Sequence, residues 1–221
     1  MPYLSAAVIG YLFGSIPTAY WLCLLVYRLN IFEHGSRNMG ATNVYRVLGN
    51  RPFAVTLAID VLKGMAAVLI CAAAWPTIPA VVFIAAAAAL CGHTLSFWVK
   101  FKGGKGVATG LGVFMALAGK SALASLAVFM IVLLASRMVS MSSMLAAVLL
   151  PVFIYHFNEL GEIYNPYLTG FATIIAMFVI FKHRTNIQRI FRGEEAKLAW
   201  RHTSANAGGS AATSPAVEDI K

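Results

Sequence analysis

Seven apolar runs divide the chain: Tyr3–Leu29, Phe53–Trp75, Pro79–Val99, Val107–Ala118, Ser121–Ser136, Met141–Phe157 and Pro166–Phe181. A helix crosses the hydrocarbon core of a bilayer with about 20 apolar residues, each rising about 1.5 Å. Helices and closed barrels are the structures that satisfy their own backbone hydrogen bonds in lipid. These long apolar runs therefore predict an all-α fold, a polytopic membrane helix bundle. Composition agrees. Of 221 residues, 60% are hydrophobic and 11% charged, against about half and about a quarter in soluble domains. The fourth and fifth runs are short. They fit either two short crossings hinged at Gly119-Lys120 or one long helix.

Charge placement chooses between these. The formal net charge is +9, and basic residues of membrane proteins collect in cytoplasmic loops. The first gap holds Arg37, Arg46 and Arg51, with Arg28 at its edge. The third holds Lys100, Lys102 and Lys105; the fifth holds Arg137. Lys182, Arg184, Arg189 and Arg192 follow the last run. The second gap is uncharged, and the sixth carries Glu159 and Glu162. This alternation requires two crossings between Gly106 and Arg137. It predicts seven transmembrane helices, amino end outside and carboxyl end cytoplasmic. Lys120, on the outer side, is the exception. The basic excess is explained by membrane orientation, and no basic helix or RNA-binding aromatic motif points to nucleic acid.

The first run has no basic leader and is too long for a signal peptide, so it reads as a retained helix. Pro17 lies inside it and must kink it. Such a kink survives in a membrane where neighbouring groups satisfy the freed backbone, which predicts an interior position. Cys23, Cys71 and Cys91 lie in apolar runs without metal-ligand spacing and read as small buried residues. Residues 1–195 form the predicted membrane domain. Residues 196–221 read as a polar, disordered cytoplasmic tail, small and without periodicity.

Four segments on the expected cytoplasmic face carry chemistry. "EHGSRNMGATNVYRVLG", Glu33 to Gly49, joins turn-forming glycines to Ser36, Asn38, Thr42 and Asn43, with Arg37 and Arg46. Arginine forks match phosphate oxygens in pairs. "FKGGKGVATG", Phe101 to Gly110, leads into an apolar run. A helix start presents free N–H groups and partial positive charge, glycine lets an anion approach, and lysine adds a full charge. Gly103, Gly104, Lys105 and Gly106 thus form a candidate phosphate cradle, although neither a Walker loop nor GxGxxG is present. "RMVSMSSM" places Ser140, Ser142 and Ser143 at a helix start. In "FKHRTNIQRIFRGEE", His183 and Asn186 share a helix face at i and i+3. A histidine facing phosphates can act as acid or base near neutral pH. Away from these, Asp60 and Lys63 fit an ion pair inside the bundle, and His93 reads as a structural hydrogen-bonding residue.

"GSIPTAYW", "GSRNMGATNVYRVLG", "GHTLSFWVKFKGGKGVATG" and "FKHRTNIQRIFRGEE" together resemble the bacterial acyl-phosphate:glycerol-3-phosphate acyltransferase family, from about Gly14 to Glu195. Where that family usually has Phe-Pro after its Gly-His, this chain has Leu95-Ser96. The resemblance implies a seven-helix enzyme of the bacterial inner membrane with a cytoplasmic site. It implies transfer of a fatty acyl group from acyl phosphate to the 1-hydroxyl of glycerol 3-phosphate, without an acyl-enzyme. It assigns site roles to Ser36, Asn43, Arg46, Lys105, Ser143, His183 and Asn186. His183, Lys105, Arg46 and Ser36 are the expected catalytic residues, with a substrate phosphate oxygen as the alternative base to His183. No carboxylate cluster or His/Cys spacing calls for a metal or cofactor.

Two other readings fit less well. An organic-phosphate transporter would use the same basic loops, but the two homologous halves typical of transporters are not visible. A CDP-alcohol phosphotransferase needs several aspartates, and this chain has Asp60 and Asp219 alone.

Overall fold

A computed structural model describes residues 1–198, and these are helical with no strand. Residues 199–221, most of the expected tail, lie outside the described residues. The elements are α1 (Pro2–Ser15), α2 (Thr18–Trp21) continued by a π turn at Leu22–Val26, α3 (Ala41–Leu48), α4 (Asn50–Ala74), α5 (Ala80–Thr94), a 3-10 turn at Phe97–Val99, α6 (Val107–Leu117), α7 (Gly119–Ser136), α8 (Val139–Phe157), α9 (Gly161–Lys182) and α10 (Arg184–Phe191). Among the described residues, six helical stretches are long and apolar enough to cross a membrane: Pro2–Val26, Asn50–Ala74, Ala80–Val99, Gly119–Ser136, Val139–Phe157 and Gly161–Lys182.

The region of the fourth and fifth runs is two helices rather than one. Ala118 leaves helical geometry at φ −152° and ψ 74°. At its start, α6 is tied through Lys105 to Asn186 at the base of α10. The start of α7 is held at the other end of the bundle by Glu159, between α8 and α9. The Glu159 carboxylate accepts Lys120 N–H (2.9 Å), Ser121 N–H (2.8 Å) and the Ser121 hydroxyl (2.6 Å). The chain therefore reverses between α6 and α7. With its 11 residues, α6 is roughly 16 Å long, half of what a crossing needs. Burial works to raise the Glu159 carboxyl, but its hydrogen bonds to Ser121 and Lys120 outweigh that and hold it below the usual range.

Between apolar helices in lipid, packing and close backbone approach do the work that water exclusion does elsewhere. The α1–α5 contact is built this way. A Cβ on Gly10 would lie 2.4 Å from Ala85 O, and one on Gly14 2.0 Å from Ala89 O. The ascending pairs show that α1 and α5 run parallel. Between α4 and α6, a Cβ on Gly112 would stand 1.9 Å from Val61 O.

Pro17 breaks the first run where expected, and α1 ends at Ser15. The carbonyls at the break find donors. Ser96 Oγ donates to Ser15 O (2.5 Å), and Lys63 Nζ donates to Ile16 O (2.7 Å). Ser96 is thus a partner for the kink. Lys63 also pairs with Asp60 at 2.7 Å, both nearly fully buried, and Asp60 accepts the Thr18 hydroxyl (3.0 Å). Cys23 and Cys71 are buried as expected, whereas Cys91 faces out of the bundle.

The close approach generates a prediction. Overpacking a core costs about 1–3 kcal/mol, occasionally more. Gly112→Leu meets backbone, so a loss at or above that range is expected, read as a fall in thermal midpoint or in folded yield in detergent. Gly119→Ala, with nothing within 4 Å of its Cβ position, leaves both unchanged.

Candidate active site

The first loop is shaped by one side chain. Asn43, in the first turn of α3, accepts Ser36 N–H at its Oδ1 (2.7 Å). Its Nδ2 donates to His34 O (3.0 Å) and Ile31 O (3.3 Å). Gly35 has φ +58°, and a Cβ there would fall 2.3 Å from Asn43 Oδ1. Asn43 is 2% exposed and works inside the loop, holding exposed Ser36 at its crest. Among the described residues, no hydrogen bond joins Ser36 to Lys105 or His183.

The glycine turn is held from below. Gly103 donates its N–H to Thr94 O (3.2 Å) and Gly104 to His93 O (3.1 Å). These two amides therefore anchor the turn to α5, which narrows the cradle expected over Gly103–Gly106. The first α6 bond runs from Gly110 N–H to Gly106 O (2.7 Å). The amides of Gly106 to Thr109 precede it and are the free donors of a helix start. Gly106 caps this start with φ +80°. The first loop packs on the turn, since a Cβ on Gly104 would lie 3.0 Å from Met39 O.

Lys105 extends from this turn to the base of α10, where its ammonium donates to Asn186 Oδ1. Asn186 Nδ2 donates to Glu195 Oε1 (2.7 Å). The same carboxylate accepts the Ser140 hydroxyl (2.7 Å) and Arg189 Nε (2.8 Å). Glu195 is 6% exposed, and Arg46 lies near enough to interact with both it and Arg189. Leu198 N–H donates to Arg137 O (2.8 Å), tying the end of the described chain to the α7–α8 turn. The first loop, the glycine turn, the start of α8 and the segment after α9 thus meet at one end of the bundle, as the charge pattern requires.

Electrostatics follow from this crowding of cations around one carboxylate. Burial, then the charges of Arg189, Arg46 and Lys182, pull the Lys105 ammonium down to about 8 despite Glu195. Burial alone would raise Glu195. Its bonds to Ser140, Asn186 and Arg189 reverse that and keep it ionised. His183 stands between α9 and α10 and is 2% exposed. Burial and the charge of Lys105 lower it to about 4, so it is neutral at pH 7. Its Nδ1 lies 2.8 Å from Val179 O. A carbonyl accepts only, so Nδ1 carries the proton and Nε2 keeps a lone pair.

Ser143 is buried and donates its hydroxyl to Val139 O (2.8 Å), one turn back in its own helix. Ser142 does the same to Met138 O (2.9 Å). Of the three serines, Ser140 is the one that reaches the polar cluster. The sequence assigns no site role to Glu195 or Arg189, and Ser140 figures in it only as a serine at a helix start. The signal for Glu195 was a pair of acids, Glu194 and Glu195, closing a basic segment, the second of them nine residues after Asn186.

A profile of the family described as glycerol-3-phosphate acyltransferase matches residues 4–193. The glycerol-3-phosphate acyltransferase of Thermosynechococcus vestitus is 44% identical over 201 residues, covering 87% of this chain and 93% of that relative. Its counterpart from Fusobacterium nucleatum is 39% identical over 198 residues, covering 90% and 99%. Among solved structures, the glycerol 3-phosphate form of PlsY, an integral membrane glycerol 3-phosphate acyltransferase, aligns with a TM-score of 0.81 at 32% identity, over 90% of this chain and 96% of that one. Its lysophosphatidic acid form aligns with a TM-score of 0.80. Matched over nearly its whole described length in sequence and in helix arrangement, the chain belongs to the glycerol-3-phosphate acyltransferase family of membrane acyltransferases.

Proposed function

We propose that this enzyme transfers a fatty acyl group from acyl phosphate to the 1-hydroxyl of glycerol 3-phosphate. The products are 1-acyl-glycerol 3-phosphate (lysophosphatidate) and inorganic phosphate. The observation that carries this reading is the convergence of Lys105, the free amides of Gly106–Thr109, Arg46, Asn186 and neutral His183 at one end of the bundle. Two phosphate-bearing substrates need such a concentration of cations and N–H donors. The forms of PlsY with glycerol 3-phosphate and with lysophosphatidic acid support an acceptor and product of this kind.

In the step itself, the hydroxyl oxygen of glycerol 3-phosphate attacks the acyl carbon. The new ester C–O bond forms and the acyl C–O bond to phosphate breaks. The electron pair leaves with phosphate, an activated leaving group. The hydroxyl proton passes to His183 Nε2, which is unprotonated, or directly to a phosphate oxygen. The protein therefore works chiefly by positioning and by stabilising charge on the departing phosphate. Lys105 and the α6 amides hold one phosphate; Arg46 and Ser36 hold the other, with Asn43 shaping the Ser36 loop. Asn186 orients the Lys105 ammonium, and Ser143 lies one turn into the adjoining α8. No metal or cofactor enters the step.

Orientation is part of the proposal. Seven passages, the short α6 among them, place the amino end outside and the site, with α10, at the cytoplasmic face of a bacterial inner membrane. The basic gaps support this. In a cysteine-free background, Ser36→Cys is expected to resist a membrane-impermeant thiol reagent in intact cells and to react in inverted vesicles. Labelling from outside would reverse the orientation.

The reaction is tested by phosphate release from purified protein given palmitoyl phosphate and glycerol 3-phosphate. Lys105→Ala abolishes it. His183→Ala lowers turnover by about 10²–10⁴ if His183 is the base; a loss within a few-fold assigns the proton to substrate phosphate.

Acidity gives a further prediction. Lys105 is charged below about 8, so its grip on phosphate is present at neutral pH and lost as pH rises through that value. A bound dianion restores its proton affinity, so the descending limb near pH 8 belongs to kcat/KM, the free enzyme's parameter. Lys105→Arg stays charged and loses that limb, whatever its absolute rate.

A further inference from the structure

Three constraints meet on His93, which closes α5 and is 3% exposed. Its carbonyl accepts Gly104 N–H (3.1 Å). Its ring lies directly beneath the turn, since a Cβ on Gly104 would stand 2.3 Å from Nε2. Its Nδ1 lies 3.0 Å from Thr109 Oγ1 in the first turn of α6. Thr109 is fully buried, and a Cβ on Gly64 of α4 would touch its carbonyl at 2.2 Å. Asp60 Oδ1 stands 3.9 Å from the same Nδ1. That carboxylate also binds Lys63 and Thr18 at the Pro17 break. The imidazole thus ties the end of α5 to the start of α6 across the glycine turn and rests on a polar brace from α2 and α4.

A glycine turn has no side chains with which to hold its own shape, and glycine is the most conformationally free residue. The turn between Thr94 and Val107 carries Lys105 and leads into the free amides. Its curvature decides where those donors point. We infer that His93 and Thr109 are a positioning pair for the phosphate cradle, acting through the Gly103–Lys105 backbone. This rests on reading the turn as a phosphate site. His93 is not a catalytic residue in this account, because its ring contacts the turn's backbone and Thr109. Donors displaced from a phosphate that stays bound throughout the reaction weaken the ground state and the transition state alike, so a shift in the turn is expected to register in KM.

The test compares Thr109→Val, which keeps the shape and removes the hydroxyl, with Thr109→Ser, which keeps the hydroxyl. KM for each substrate, kcat and the thermal midpoint are measured on the purified enzyme. For Thr109→Val, KM for one of the two phosphate substrates rises about tenfold or more while kcat changes about threefold at most. The thermal midpoint falls by no more than a few degrees, and Thr109→Ser returns KM to near wild type. Unchanged KM values, a loss confined to kcat, or a serine variant as defective as valine overturns the inference. If Thr109→Val does not fold, His93→Asn replaces it. Asparagine keeps a polar atom near the Nδ1 position and removes the ring under Gly104. A raised KM supports the pair, and an unchanged one overturns it. If wild type transfers no acyl group, the proposed reaction fails by itself. Calorimetric binding of glycerol 3-phosphate then decides the positioning role: about tenfold weaker binding by Thr109→Val supports it, and equal binding, or none by wild type, overturns it.

Discussion

In hydrocarbon an unpartnered peptide group costs several kcal/mol, and this one constraint governs where the described residues depart from regular helix. The long helices satisfy their own backbones. Loops with free amides, such as the start of α6, lie at the bundle's ends. The break at Pro17 is the exception inside a span, and it shows the rule at work. Ser96 and Lys63 supply the donors that the chain near the break needs. Lys63 in turn needs Asp60, Asp60 binds Thr18, and His93 stands close by. One kink thus draws four elements together beneath the glycine turn.

The same low polarity governs the charges above that brace. Lys105, Arg46 and Arg189 crowd one end of the bundle, Arg46 exposed and the other two half-buried, and cations gathered so closely are eased by a counter-charge. Glu195 supplies it through Ser140, Asn186 and Arg189. The arrangement leaves Lys105 easily deprotonated and His183 neutral. In the proposed reaction a substrate phosphate entering this cluster would add the negative charge that the cations favour, linking binding to protonation.

Much of the fold was legible. Spans announce themselves because lipid demands about 20 apolar residues in sequence, and the second run, Phe53–Trp75, nearly coincides with α4 at Asn50–Ala74. Parity of charge called for two crossings between Gly106 and Arg137. The chain does form two helices there, but α7 alone is long enough to span, and α6 has about half of what a crossing needs. The kink, the Asp60–Lys63 pair and the gathering of four basic segments were also readable, since each follows from local residue chemistry. The length of α6 was less so. An apolar run of that size fits a half-crossing or a buried helix equally.

The sequence by itself marked the apolar helical stretches, the gaps that carry basic charge and the residue types suited to phosphate. Those properties depend on neighbours along the chain. Tertiary structure decided which polar groups are free. Asn43 and Ser143 carry suitable atoms, yet Asn43 holds Ser36 in place and Ser143 bonds its own helix. Gly103 and Gly104 give their amides to α5. Glu195 and Ser140, 55 residues apart, become partners only after α8 and α10 pack at the same end. A hydrogen bond has direction and short reach. Its partner is therefore set by where helices dock, which the order of residues does not state.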